Sequence, residues 1–238
     1  MSKIAILTPF FGTPAEARCS VGYANALIAL ARDPSVQVIG RIQTDCDIIR
    51  ARSRIVREFL ATSADYGLWW DEDVVAPVAQ IGRCINGMLA TKQHFIAAPY
   101  PRKRLHWHSG VTEATAVQYP ISALGPTKIE PSTVSVPVAH VGFGFALMSR
   151  ACATMMWEAY EKELSYLDVC GDKSAPGVAL FQLVIDPATR LLLSEDYSFC
   201  HRWRAIGGEV HLYVGDGAPL DHLGSHVFRG LREGLVGG

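Results

Sequence analysis

Apolar and polar positions switch between two periods along the first hundred residues. Residues 3–9, KIAILTP, form a short apolar run that reads as a buried strand. In SVGYANALIALARDP, Val21, Ala24, Leu27, Ile28 and Ala31 recur at helical spacing. Ser20 stands ready to cap that helix and Pro34 lies beyond its end. Residues 36–42, VQVIGRI, return to a strand. Ile48, Ile49, Ile55, Val56, Phe59 and Leu60 then share one helix face behind Asp47. Residues 67–70, GLWW, predict a third strand, 76–91 a third helix and 94–100, HFIAAPY, a fourth strand.

Strands alternating with helices in this way predict βαβ units around a mostly parallel sheet. Right-handed crossovers place the carboxyl ends of such strands on one edge, and open α/β sheets bind ligands there. The second half is less regular. Residues 101–133 read as a long, Pro-rich and basic excursion, and 133–150 as one or two strands. A helix is expected over 151–164, a strand or pair over 176–185, a helix from Ser194 to Gly207 and Gly208, and a strand over 209–215. The expectation is a single α/β domain of Rossmann type, with a mixed, mostly parallel sheet flanked by helices. Residues 1–100 form its nucleotide-binding half and 101–228 an acceptor-side half. Residues 229–238 form a Gly-rich tail expected to be mobile.

Composition narrows the function classes. Hydrophobic residues make up 49% of the 238 and the formal net charge is −1. That leaves no basic excess to neutralise a nucleic acid backbone. No apolar run approaches the roughly 20 residues that cross a bilayer. The N-terminal MSKIAILTPFFGTPAEA has the outline of a secretion signal, but Pro9 interrupts its apolar patch and a single Lys precedes it. Six cysteines lie scattered without a CxxC pair, as expected of buried thiols in a reducing cytoplasm. The expected location is therefore cytoplasmic, with peripheral attachment to a membrane left open.

Four groups of residues carry candidate chemistry. Asp71, Glu72 and Asp73 follow the oily strand at the binding edge. In an extended chain, i and i+2 face one way, so Asp71 and Asp73 are expected to share a divalent cation, Mg²⁺ or Mn²⁺, with Glu72 turned elsewhere. Ser194 is expected to cap a helix whose first turn holds Glu195 and Asp196, one of which is a candidate general base. His222 and His226 are spaced i and i+4, though Gly224 between them argues against a helix; one imidazole is expected to reach the same ion. Finally, Arg50, Arg52, Arg54 and Arg57 lie on one helix, and Arg102, Lys103, Arg104, His106 and His108 follow the fourth strand. Most of these are expected on solvated faces, one or two on a diphosphate, and the His106–Trp107–His108 stretch on a sugar or a lid. VGFGF lacks the third glycine of a dinucleotide fingerprint, and no phosphate-binding P-loop or GxSxG is present.

In order along the chain, ILTPF, IIRARSRIVREFL, WWDEDV, AAPYPRK, GFGFALMSR, SEDYSFCHRWRAIGG and DHLGSH resemble a GT-A-type glycosyltransferase with a DxD motif. The resemblance implies a GT-A-like fold and transfer of a sugar from a nucleoside-diphosphate sugar, UDP-linked by preference, to an acceptor hydroxyl. It implies a nucleoside pocket bordered by Thr8 and Pro9. Asp45 or Arg52 would touch base, ribose or phosphate. Asp71 would approach ribose or metal, Asp73 would ligate Mn²⁺ or Mg²⁺, and His222, or His226 in its place, would be a further ligand. Asp196, or Glu195 in its place, would be the base, which favours inversion over retention. Gly142 and Gly144 would let a sugar lie against the backbone. The acceptor is left open among glycan, lipid-linked sugar, protein, small molecule and modified base. Two rivals stand beside this reading. A nucleotidyltransferase would carry a Gly-rich basic loop after the first strand, where TPFFGTPAEAR has one glycine. A non-catalytic sugar-nucleotide binder would bind the donor without turnover.

Overall fold

The computed structural model describes residues 2–10, 25, 28, 32, 36–44, 47–106, 110–112, 116–126, 129–170, 173–224 and 227–231, with the backbone alone for 2, 10, 36–44, 170 and 173. β1 (Ser2–Phe10), β2 (Val36–Thr44), α1 (Ile48–Leu60), β3 (Tyr66–Trp70), α2 (Val78–Ala90) and β5 (Phe95–Ala97) stand where strands and helices are expected, and a short β4 (Val74–Val75) is added between β3 and α2. The helix expected over 20–34 falls almost wholly outside the described residues.

The chain forms a mixed α/β domain. One eight-stranded sheet has the order β2-β1-β3-β8-β5-β11-β7-β6, adding β6 (Ile121–Ala123), β7 (Ser135–Val141), β8 (Phe145–Ser149) and β11 (Val210–Tyr213). β2, β1, β3, β5, β11 and β6 run one way; β8 and β7 run the other. The Gly142–Gly144 link therefore separates two strands, and β8 inserts between β3 and β5. The carboxyl ends of β1, β3 and β5 still meet on one edge.

β3 is buried on both faces, and its two tryptophans point to opposite sides. Trp69 packs with Phe143 and Phe181 in a layer shared with Ile55, Val56 and Phe59 of α1 and with Phe199 and Trp203. Trp70 packs edge-on to Phe145 in a second layer with Ile81, Ile85 and Met88 of α2. Helices thus cover both faces of the sheet.

Local signals account for the helix ends near the site. Asp47 caps α1, its carboxylate accepting from the N–H groups of Ile49 and Arg50. α3 (Arg150–Leu164) is capped by Ser149, and α4 (Glu195–Ala205) by Ser194, whose hydroxyl accepts from Tyr197 N–H. Gly207, at φ +89°, ends α4 in the left-handed region.

Two expectations change. Residues 176–185 are not a strand pair. β9 (Ser165–Cys170) and β10 (Lys173–Val178) form an antiparallel hairpin instead, and Leu180 and Phe181 turn into the core. Arg54 and Arg57 are not on a solvated face: both pair with Asp168 of β9, which is held below its ordinary value chiefly by the Arg54 hydrogen bonds. Among the described cysteines, Cys84, Cys152 and Cys200 are buried free thiols. Among the described residues no helix is long and apolar enough to cross a membrane.

Phe143 contacts Trp69, Phe95, Phe181 and Phe199 at centroid distances of 5.0–5.4 Å. Phe143→Ala should cost about 3–5 kcal/mol. Urea unfolding checks this; a loss under about 1 kcal/mol would place the ring outside the structural core.

Candidate functional site

The sheet's pairing runs one residue past β3. Asp71 N–H donates to the Gly144 carbonyl at 2.9 Å, which fixes the backbone from which the carboxylate leaves. Val74 N–H then closes back on the Asp71 carbonyl at 3.0 Å. Residues 71–74 are therefore a turn, and the strand alternation expected for the triplet stops at Asp71. Asp71 and Asp73 both still line one cleft of about 400 Å³, together with Tyr100, Arg102, Lys103, Pro120 and His222. Glu72 is not among its lining residues.

The second half of the chain reaches this turn through a small sheet. β12 (Asp221–Leu223) pairs antiparallel with β4 and with β13 (Val227–Phe228), which sets His222 opposite Val74. Leu223 N–H donates to the Asp73 carbonyl at 2.8 Å. The segment is a strand, in keeping with the objection that Gly224 raised to a helix. His222 Nδ1 lies 2.8 Å from the Pro101 carbonyl, which can only accept, so Nδ1 carries the proton. Nε2 faces Asp73 Oδ1 at 3.4 Å, donating to it when the ring is charged and offering a lone pair when the ring is neutral. The Tyr100 ring meets the imidazole edge-on at 5.2 Å.

Arg52 organises the other side. It is 3% exposed, and its guanidinium lies over the rings of Phe143 and Phe181 at 5.6 and 5.8 Å. Nη2 reaches Asp71 Oδ2 at 3.4 Å, and Nη1 reaches Glu195 Oε1 at 3.3 Å and pairs with Asp196 Oδ1. One buried cation thus joins the carboxylate after β3 to both carboxylates of the first turn of α4. Arg52 was expected against base, ribose or phosphate. It faces inward instead, because three carboxylates and an aromatic floor take up its charge.

The carboxylates differ in character. Burial lifts the Asp71 carboxyl above its ordinary value; Arg52 opposes this and the Asp73 charge reinforces it. Its Oδ1 is a buried atom without a hydrogen-bond partner. Burial also presses Asp73 upward, but hydrogen bonds and charge from His222 and Lys103 prevail and hold it at about 2. Lys103 Nζ sits 2.5 Å from Asp73 Oδ2. Burial and the neighbouring Asp73 and Asp71 charges raise Glu72.

The donor set suits a hard divalent cation: an ionised Asp73, an imidazole whose Nε2 faces it, and an unpartnered oxygen on Asp71. These side chains are not yet gathered. Among the described residues, no three His, Cys, Asp or Glu form a group that could hold a metal. Lys103 pairs with one oxygen of Asp73 and Arg52 with one of Asp71.

Other expected residues fall as follows. Thr8 and Pro9 are buried at the end of β1, on the same sheet edge, and do not line the cleft. Asp45, His226, Trp107 and His108 lie outside the described residues, as do 232–238 of the tail. Gly142 and Gly144 do not leave room for a sugar. A Cβ on either would meet the Tyr100 hydroxyl, at 2.3 and 2.8 Å, and Gly144 N–H donates to that hydroxyl at 2.9 Å. The glycines make room for Tyr100. Sequence reasoning missed Tyr100 as a site residue, and it named Lys103 only among the basic residues after the fourth strand, not as a partner of Asp73. The signal for the first was present in two glycines flanking a core Phe, which admit a ring from elsewhere. It missed as well the stack of His140 on Tyr197, at 4.8 Å between centroids, where burial lowers the imidazole to about 4 and keeps it neutral.

No protein-family model and no curated protein matches the sequence. Among solved structures, the chain is similar to A197 from STIV, with a TM-score of 0.51 and 14% identity over 94% of this chain and 87% of that one. It is more loosely similar to GalNAc-T7, crystallised with UDP, GalNAc and Mn²⁺, with a TM-score of 0.43 and 10% identity over 89% of this chain and 42% of that one. At these identities the likeness to A197 is one of fold.

Removing Arg52 leaves three half-buried carboxylates without their cation. Arg52→Met should lower the unfolding free energy by about 3–5 kcal/mol. Adding Asp196→Asn should recover part of that loss, because one stranded charge is gone. Urea unfolding of the two single variants and the double variant checks this; strictly additive losses would show that the two groups are not coupled.

Proposed function

We propose that the protein is a metal-dependent glycosyltransferase that moves a sugar from a nucleoside-diphosphate sugar, UDP-linked by preference, to an acceptor hydroxyl. The observation that carries this reading is the cleft itself. At the carboxyl edge of the sheet, Asp71, Asp73 and His222 line one cavity, and Arg52 ties Asp71 to Glu195 and Asp196. The order of sequence motifs that resembles GT-A enzymes supports it independently.

In this reading Asp73 and the Nε2 of His222 would hold Mn²⁺ or Mg²⁺, and the unpartnered Oδ1 of Asp71 would be available to the ion or the ribose. When bound, the ion would neutralise charge developing on the leaving diphosphate. The protein's own groups do the rest. The Pro101 carbonyl fixes the His222 tautomer, so that the lone pair faces the cleft. Arg102 and Lys103 bring positive charge to the cleft wall. Asp196, paired with Arg52, accepts the proton of the acceptor hydroxyl, with Glu195 beside it on the same guanidinium. A carboxylate base used in this way goes with inversion rather than retention. Arg52 acts here as a positioning residue rather than a phosphate contact.

UDP, GDP and CDP, tested with and without Mn²⁺, should raise the melting temperature only when the ion is present, with UDP giving the largest rise. Asp73→Ala should abolish the shift, and a shift that survives it would remove the metal assignment. Asp196→Asn should keep the shift while lowering kcat by about 10²–10⁴-fold. Release of pyrophosphate from a nucleoside triphosphate would favour a nucleotidyltransferase instead.

A further inference from the structure

Both oxygens of Asp73 are already engaged, one by the imidazole of His222 at 3.4 Å and the other by the ammonium of Lys103 at 2.5 Å. Lys103 belongs to the segment that follows β5. Its stem lies against Gly224, where an added Cβ would come within 3.1 Å of the Lys103 Cδ. A side chain at 224 would make the stem give by a few tenths of an ångström. The ammonium is 40% exposed along its side chain and lines the cleft. It can therefore leave Asp73 without unfolding anything that the core depends on.

We infer that Lys103 is the built-in counter-ion of this site: it occupies the Asp73 oxygen that a divalent cation needs, and the ion loads only by displacing it. This rests on the metal-dependent reading above. The exchange is one of cation for cation on the same carboxylate oxygen, with no bond made or broken in the chain. An ammonium donates from a point charge on a flexible stem, so it can yield to an ion that binds the carboxylate together with the Nε2 of His222. Until then Lys103 leaves Asp73 paired. The device makes the empty site stable and ties loading to ligand arrival. A bound diphosphate offers the released ammonium a new partner, so nucleotide and ion each favour the other's binding.

The test is Mn²⁺ binding, followed by the paramagnetic resonance signal of free Mn²⁺ without any turnover. Wild type, Lys103→Met, Lys103→Arg and Asp73→Asn are titrated, with and without UDP. Lys103→Met removes a charge-assisted hydrogen bond that competes with the ion, so it should bind Mn²⁺ about tenfold more tightly than wild type. Lys103→Arg keeps the competing charge and should stay close to wild type. UDP should strengthen Mn²⁺ binding more in wild type than in Lys103→Met. Equal or weaker Mn²⁺ binding by Lys103→Met, with Asp73→Asn losing it, would overturn the counter-ion role and leave the metal site standing. No Mn²⁺ binding by any of the proteins, even with UDP, would overturn both.

Discussion

A buried guanidinium with three carboxylates around it is the constraint on which the site depends. Arg52 is carried on α1, but its partners come from the turn after β3 and from the first turn of α4, nineteen and more than one hundred and forty residues away in sequence. Taking such a charge out of water is costly, and it is tolerated only where opposite charge and good geometry surround it. Phe143 and Phe181 supply the floor, and Asp71, Glu195 and Asp196 supply the charge. The aromatic layer beneath β3 and the carboxylates above it therefore support each other. Moving any one element would strand a charge.

A second contact completes the cleft from the opposite side. β12 pairs with β4 and brings His222 to Asp73, while the chain after β5 brings Tyr100, Arg102 and Lys103. The two carboxylates of the acidic triplet then live in different surroundings. Asp71 is pressed upward by burial and held by Arg52. Asp73 is kept ionised by His222 and Lys103. Two groups two residues apart are thus set for different tasks by their partners rather than by their own chemistry.

Much of this was legible where the signal is local. The Asp47 and Ser194 caps, the acidic first turn of α4 and the alternation of Trp69 and Trp70 are short-range features, and the fold uses them as the residues imply. What depends on distant pairing was not legible. Nothing near Phe145 announces that β8 slips between β3 and β5, and nothing near Lys103 announces a carboxylate thirty residues earlier in the chain. The triplet shows both cases. Its place at the end of β3 followed from the strand pattern. The turn at 71–74 that brings Asp73 into the cleft did not, because alternation predicts faces only while the strand continues. The glycines at 142 and 144 were read as room for a ligand, and they are room for Tyr100.

The most direct measurement is a crystal structure grown with UDP and Mn²⁺, with the ion located by its anomalous scattering. The account predicts one peak between the Asp73 carboxylate and the Nε2 of His222, at about 2.0–2.3 Å from each. It predicts the UDP phosphates beside that peak and Lys103 drawn away from Asp73. A peak elsewhere, or UDP bound with Lys103 still on Asp73 and no ion between them, would contradict it.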